Sequence, residues 1–310
     1  MSLIHETRSH KPSIIMRLVK WMVTRRPEIF PKTGAGVEQF LKTREPPAEA
    51  PIPASVEKAC KVDRWELEGQ PCVTLHPTSG KGRQHILYFH GGGFVLPIVK
   101  EHWIMLAQMV GQLGASITVP LYNLVPEHGF ADADRLADAT FAKLSEEWDV
   151  SNIILSGDSA GGHMALALAL RLAREGRPQA GKLCLFAPWL DVTMADPAMQ
   201  AIEPHDIMLR IEALQVMGKL WASPRDPASP ECSPLYASEV ELEQLPPTAI
   251  FVGTHDLFVV DCRTFAEKLS AAGVATQLYE YAGAPHVFMI AVAAREAKDT
   301  FALVGQFLSD

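Results

Sequence analysis

The stretch Asn152-Ile-Ile-Leu-Ser-Gly-Asp-Ser-Ala-Gly-Gly162, continued by His163-Met-Ala-Leu-Ala-Leu-Ala-Leu-Arg171, decides how the rest of the chain is read. Ile153 to Leu155 is a short apolar run of the kind that forms a strand. The alanine- and leucine-rich run beyond Gly162 has helical character and stops near Gly176 and Pro178. Between them lies Gly157-Asp158-Ser159-Ala160-Gly161, a G-x-S-x-G pattern. A serine on so sharp a strand-to-helix turn is driven into strained backbone, and flanking glycines remove the Cβ atoms that would block it. The turn exposes Ser159 Oγ and aims the N–H of Ala160 and the positive helix end at the same point. Five such residues alone describe many flexible loops; the flanking strand and helix turn them into a nucleophile site.

Strand and helix patterns alternate on both sides of this turn. Expected helices cover 101–113, 131–147, 159–175, 258–272 and 287–308, and expected strands 115–120, 152–156, 181–187, 248–253 and 275–281. Strands separated by helices imply βαβ units: an α/β fold with a mostly parallel central sheet and helices on both faces. Upstream, Val62 to Leu67 and Cys72 to His76 read as an antiparallel pair, and His85-Ile-Leu-Tyr-Phe89 as a strand buried on both faces. That strand runs into His90-Gly-Gly-Gly-Phe94, whose glycines let the backbone approach a ligand closely. Its amides suit a developing oxyanion; a phosphate cradle is the rival, but the GxxxxGK[ST] pattern is absent. Sites in such sheets lie at the carboxyl ends of the strands, so this loop and Ser159 are expected to meet.

Two segments break the alternation. In residues 1–55, Ile14, Ile15, Leu18, Val19 and Met22 fall at helical spacing with Arg17, Lys20, Arg25 and Arg26 nearby. This helix is expected to pack on the domain, the alternatives being a mobile lid or a basic membrane-surface helix. The proline-rich run Glu45–Pro53 links this helical cap segment to a main domain over 56–310. Residues 189–246 carry many prolines and one clear helix near 207–221, and read as an insertion, at about 190–235, above the sheet's carboxyl edge.

Composition narrows the function classes. A chain of 310 residues with 48% hydrophobic and 21% charged residues has room for one large core. A net charge of −8 argues against a nucleic-acid partner. Cys60, Cys72, Cys184, Cys232 and Cys262 are scattered, with no zinc-type spacing; this argues against a disulfide framework and a zinc site and fits a reducing, cytoplasmic setting. Ile14 to Val23 is too short and too basic to be a signal core or a membrane span, so no stable membrane insertion is expected.

A serine nucleophile needs a base, and the base a carboxylate to hold its tautomer. Of the later histidines, His163 sits on the helix after the serine, His205 lies in the insertion, and His255 precedes its neighbouring acid. His286, in Gly283-Ala-Pro-His-Val-Phe288, follows a strand and is the best candidate. Asp256, directly at the end of strand 248–253, is the preferred acid; Asp261, one and a half turns on, reads as a helix-face or supporting acid.

His90-Gly-Gly-Gly, Gly157-Asp-Ser-Ala-Gly-Gly, Asp256-Leu-Phe-Val-Val-Asp261, His286-Val-Phe and Tyr122-Asn-Leu-Val-Pro-Glu-His128 together resemble the hormone-sensitive-lipase-like branch of the α/β-hydrolase esterases. The resemblance spans about residues 85 to 290. It implies an α/β-hydrolase fold of about eight strands, Ser159, Asp256 and His286 as catalytic triad, and Gly92, Gly93 and Ala160 as oxyanion amides. It implies a lid built from the N-terminal helices and the segment near 190–235, a small-molecule ester as substrate, and no cofactor. The chain departs from the family at Asn123, where an Arg is usual, at Gly129-Phe130-Ala131, and at Leu257, often Pro. The expected activity is a serine carboxylesterase for short- to medium-chain acyl esters; lactone, carbamate or amide hydrolysis and a non-catalytic small-ligand receptor are the alternatives. Strand 275–281, with Glu280 its single charge, is expected at a sheet edge, where antiparallel pairing with a second copy would make a homodimer.

Overall fold

The computed structural model describes residues 3–25, 31–45, 48–80 and 82–309. Nine strands are formed among these residues: β1 Ile4–Arg8, β2 Cys60–Leu67, β3 Gln70–Pro77, β4 His85–Phe89, β5 Ser116–Pro120, β6 Ile153–Asp158, β7 Lys182–Phe186, β8 Thr248–His255 and β9 Thr276–Pro285. The helices among the described residues are α1 Ile14–Val23, α2 Gly34–Thr43, α3 Ala54–Ala59, α4 Lys100–Leu113, α5 Phe130–Ser145, α6 Ala160–Arg174, α7 Met199–Ile202, α8 Ile211–Ala222, α9 Glu239–Leu242, α10 Val259–Ala271 and α11 Arg295–Ser309.

All strands join one sheet in the order β1-β9-β8-β7-β6-β4-β5-β3-β2. Only β3 runs against the others, pairing antiparallel with β2 and β5. β4, β5 and β6 are buried along their whole length, as continuous apolar runs between two helix layers must be. The carboxyl ends of β4, β6, β8 and β9 are therefore adjacent along one rim, each continuing into one of the sequence motifs.

The sheet has one strand more than expected, and the extra strand removes the expected edge. Ile4 to Arg8 pairs in parallel with Gln277 to Tyr281. The homodimer expected through strand 275–281 thus has no free ladder to use. β1 itself carries Glu6 and Arg8, paired with each other, and charged side chains on an edge strand discourage further pairing. The first 55 residues are consequently not a purely helical cap.

Three further expectations change. β9 runs on to Pro285, and α11 starts at Arg295 rather than 287, because Val287 takes a left-handed conformation (φ +46°) and only a short turn, Phe288–Ile290, follows. A β-branched residue there breaks the helical run and turns the chain at His286. Helix α1 does not bury its apolar face: only Met16 is fully covered, while Ile14 is 82% and Trp21 53% exposed. Polar ties hold it instead. Ser13 bonds to the Glu296 carboxylate through both its N–H (2.6 Å) and its hydroxyl (2.7 Å). Lys20 Nζ donates to Gly283 O (2.8 Å) and His255 Nδ1 (2.9 Å). The insertion and the N-terminal segment meet, with α2 packed on α8 and Gly34 N donating to Glu212 (3.0 Å). No helix among the described residues is long and apolar enough to cross a membrane.

Candidate active site

Strand β6 ends at Asp158 and α6 begins at Ala160, so Ser159 alone makes the turn, at φ +55° and ψ −121°. This backbone region is costly for a residue with a Cβ and persists only where the surroundings impose it. Here Ser159 N donates to Phe186 O (2.9 Å), and its carbonyl accepts from His163 N and Trp189 N (3.1 Å each). The turn also presses α6 against β4: a Cβ on Gly161 would lie 2.0 Å from Phe89 O, so only glycine fits.

His286 leaves the end of β9 and Asp256 follows β8 immediately. The structure brings the expected residues into one line. Ser159 Oγ lies 2.9 Å from His286 Nε2, and His286 Nδ1 lies 2.8 Å from Asp256 Oδ2. With the ring proton on Nδ1, His286 donates to Asp256 and accepts from Ser159. The second oxygen of Asp256 accepts from Phe258 N (3.0 Å), which fixes the carboxylate's rotation. All three side chains are buried. Burial opposes a charge on His286, but Asp256, with Asp206 and Asp158 beyond it, outweighs that cost and raises its pKa above the usual imidazole range.

The glycine loop starts beside the serine turn, tied to it through Asp158, the residue before Ser159. Gly92 has φ +131°, a conformation open to glycine. The N–H groups of Gly92, Gly93 and Ala160 donate to no acceptor among the described residues, whereas the Gly91 amide is taken by Asp158. Asp158 is what holds the loop. Its Oδ1 accepts from Tyr88 Oη (2.7 Å) and Gly91 N (2.9 Å), and its Oδ2 lies 3.3 Å from His102 Nε2. Burial penalises this carboxylate, yet His102, Tyr88 and the Gly91 amide together depress its pKa. Tyr122 completes the brace: its hydroxyl donates to His90 O (2.7 Å) and its ring stacks on His90 at 4.4 Å. Burial and the neighbouring His102 push the His90 pKa down to about 4, so that ring is neutral.

Sequence reasoning passed over Asp158, Tyr88, His102 and Tyr122 as functional residues. Asp158 carried a signal, an acid one residue before the nucleophile at the end of a buried strand; His102, on a helix, carried none. Asp261 stays apart: it faces Asp191 and Asp196, and neither carboxyl oxygen has a hydrogen-bond partner among the described residues. His163 is a packing residue, its Nδ1 on Trp189 O (3.0 Å) and its ring against Phe94 and Trp221. At Asn123, where an Arg was expected, the backbone N–H donates to Gln70 (2.7 Å), and Arg44 spans the Val95 and Val125 carbonyls nearby. Among the described residues no cluster of three or more His, Cys, Asp or Glu could hold a metal ion.

This combination of parallel sheet, serine turn and glycine loop defines a class. A family model described as alpha/beta hydrolase fold matches residues 86–290, and the chain belongs to that family. Within it the chain falls in the hormone-sensitive-lipase-like branch. It is 33% identical over 227 residues to an esterase of Acinetobacter venetianus, covering 72% of this chain and 74% of that one. It is 30% identical over 242 residues to the carboxylesterase/phospholipase LipF of Mycobacterium tuberculosis, covering 76% of this chain and 64% of LipF. The crystal structure of an esterase from the bacterial hormone-sensitive lipase family superposes with a TM-score of 0.81 at 26% identity, covering 96% of this chain and 98% of that one.

Proposed function

We propose that this protein is a serine carboxylesterase acting on short- to medium-chain acyl esters, with Ser159 as nucleophile, His286 as general base and acid, and Asp256 as its carboxylate partner. The observation that carries the reading is the Ser159–His286–Asp256 line, with links of 2.9 and 2.8 Å, together with the Gly92, Gly93 and Ala160 amides, which have no acceptor among the described residues. That the protein hydrolyses carboxylic esters is supported by its family and by relatives named esterase and carboxylesterase.

His286 Nε2 takes the Ser159 proton as Oγ attacks the ester carbonyl carbon. The carbonyl oxygen becomes an oxyanion facing the amides of Gly92, Gly93 and Ala160, where fixed dipoles stabilise developing charge without reorganising. The C–O bond breaks, His286 gives its proton to the leaving alkoxide, and the acyl group stays on Ser159. Water, deprotonated by His286, then attacks the acyl carbon; the carboxylic acid leaves and Oγ regains its proton. The raised His286 pKa suits a base that must carry the proton between the two halves.

Short acyl chains are supported by the short helices available as a lid: α1 has 10 residues and α8 has 12, and neither offers a long apolar surface for a lipid interface. The five buried, unpaired cysteines support a reducing, cytoplasmic setting.

A series of chromogenic esters from acetate to laurate, run on wild type and on Ser159→Ala, tests the reading. Wild type is expected to favour the short half. Ser159→Ala should fold and lose about three orders of magnitude or more in kcat, since binding and oxyanion stabilisation survive. Near-wild-type turnover by Ser159→Ala, or labelling of another serine by a phosphonate, would overturn the assignment. A rate jump at the substrate's solubility limit would overturn the chain-length part.

A further inference from the structure

We propose that Asp206, a carboxylate on the cap insertion, is a positioning residue for the His286–Asp256 pair: it clamps the loop that carries Asp256 and adds a second negative charge to the field at His286. The proposal rests on the esterase reading above.

Asp206 lies between the turn Glu203–His205 and α8, and is 2% exposed. No ion pair engages it among the described residues. Its carboxylate instead takes three backbone N–H groups: Oδ1 accepts from Met208 (2.8 Å) and Leu209 (2.9 Å), and Oδ2 from Leu257 (3.0 Å). The Leu257 bond crosses 51 residues of sequence, from the cap to the loop after β8. Leu257 and Phe258 are consecutive, and their amides are divided between two acids: Leu257 N–H goes to Asp206 and Phe258 N–H to Asp256. Asp206 thus fixes the peptide that joins Asp256 to Leu257, and Asp256 caps the next one, so the two acids brace adjacent peptides of the same turn. The amide exists because residue 257 is Leu; a Pro there, often found in the resembled family, has no N–H to give.

The electrostatics point the same way. Around the imidazole stand Asp256 from the end of β8, Asp206 from the insertion and Asp158 from β6, all favouring its charged form. On the cap side, Lys20 of α1 faces Asp206 and sits beside His255, whose ring lies 5.1 Å from His205. Burial and the charge of Asp256 push the Asp206 carboxyl up to about 6, while His286 and the backbone amides pull it down. Asp206 therefore takes up a proton more readily than an ordinary carboxyl, and while ionised it favours the imidazolium that forms in each catalytic step. A buried acid with no cationic side chain bonded to it is costly to keep. Packing alone would be served as well by an amide; holding Asp256 and its field would not.

The test compares wild type with Asp206→Asn and Asp206→Ser on a soluble short-chain ester, recording kcat and KM across pH together with melting temperature. In Asp206→Asn an amide nitrogen faces the Leu257 N–H and the charge is gone. The expected result is a kcat lowered about tenfold with KM changed by less than about twofold. The acid limb of kcat should move to lower pH by about half a unit or more, because removing a negative charge makes His286 easier to deprotonate. The downfield Nδ1–H proton resonance of His286 should titrate with the same displacement. A loss of kcat with an unmoved acid limb and unmoved resonance would show a merely structural residue and overturn the proposal; so would failure of both variants to fold, or wild-type kinetics in a folded variant. If wild type itself hydrolyses no ester, the esterase reading fails, and the His286 resonance still decides the role of Asp206.

Discussion

Replacing Asp256 and Asp261 separately by Asn should give opposite outcomes, and the structure sets both magnitudes. In Asp256→Asn the amide oxygen can keep the Phe258 N–H at 3.0 Å, which leaves the amide nitrogen 2.8 Å from His286 Nδ1. Two donors cannot face each other. The ring must therefore carry its proton on Nε2, toward Ser159, and a nitrogen that bears a proton cannot accept one. An error of tautomer of this kind costs a serine hydrolase about 10⁴-fold in kcat, or about 5.5 kcal/mol in the barrier. Asp261 is different. Burial, with Asp191 and Asp196 nearby, pushes its carboxyl up to about 8, so at neutral pH it is already uncharged. Asn for a neutral carboxyl changes little, and activity should stay within about twofold. Initial rates on a soluble ester, with active sites counted by a phosphonate, measure both. Asp261→Asn falling further than Asp256→Asn would refute the choice of acid. Stability supplies a second readout. A folded-state pKa raised to about 8, from the ordinary carboxylate range near 4, means the folded chain holds the proton through that window while the unfolded chain releases it. Wild type should therefore lose stability as pH rises from about 4 to about 8, and Asp261→Asn should lose less. Denaturation midpoints across that window that move in parallel for the two proteins would contradict the assignment.

Two further outcomes follow from the scaffold. Asp158→Asn keeps an oxygen for Tyr88 and Gly91 but gives up the charge beside His102; kcat should fall about ten- to a hundredfold with little change in KM, because loosened oxyanion amides are felt in the transition state. A KM effect alone, in steady-state kinetics, would contradict that role for the loop brace. A chain beginning at Ser9 lacks β1 and bares the outer ladder of β9; it should self-associate in sedimentation at concentrations where the full chain does not, and identical sedimentation of the two would show that β1 does not guard that edge.

The serine turn, the glycine loop and the order of strands and helices were legible in the sequence because each is a local device. A G-x-S-x-G between strand and helix works through backbone geometry within a few residues, and the glycine at 161 is demanded by an oxygen of the neighbouring strand. His286 and Asp256 were legible because strand ends in a parallel sheet share one rim, so chain order alone narrowed the choice. The sheet edge was not legible. Ile4 to Arg8 is short and polar, with no alternation to mark it, and becomes a strand only because β9 offers it a ladder. Nor was the exposed apolar face of α1, since periodicity reports that a helix is two-sided without saying what covers either side.

By itself, then, the sequence determined the class of fold and the three residues aligned for chemistry, because short-range backbone rules and strand order carry that information. Tertiary structure alone decided what keeps those residues aligned. Asp158 reaches back from β6 to the loop after β4, and Asp206 reaches across from the cap to the loop after β8. A carboxylate finds such partners only when segments far apart in sequence are folded against one another, and its choice among available amides is settled by distance and burial, neither of which is written in the order of residues.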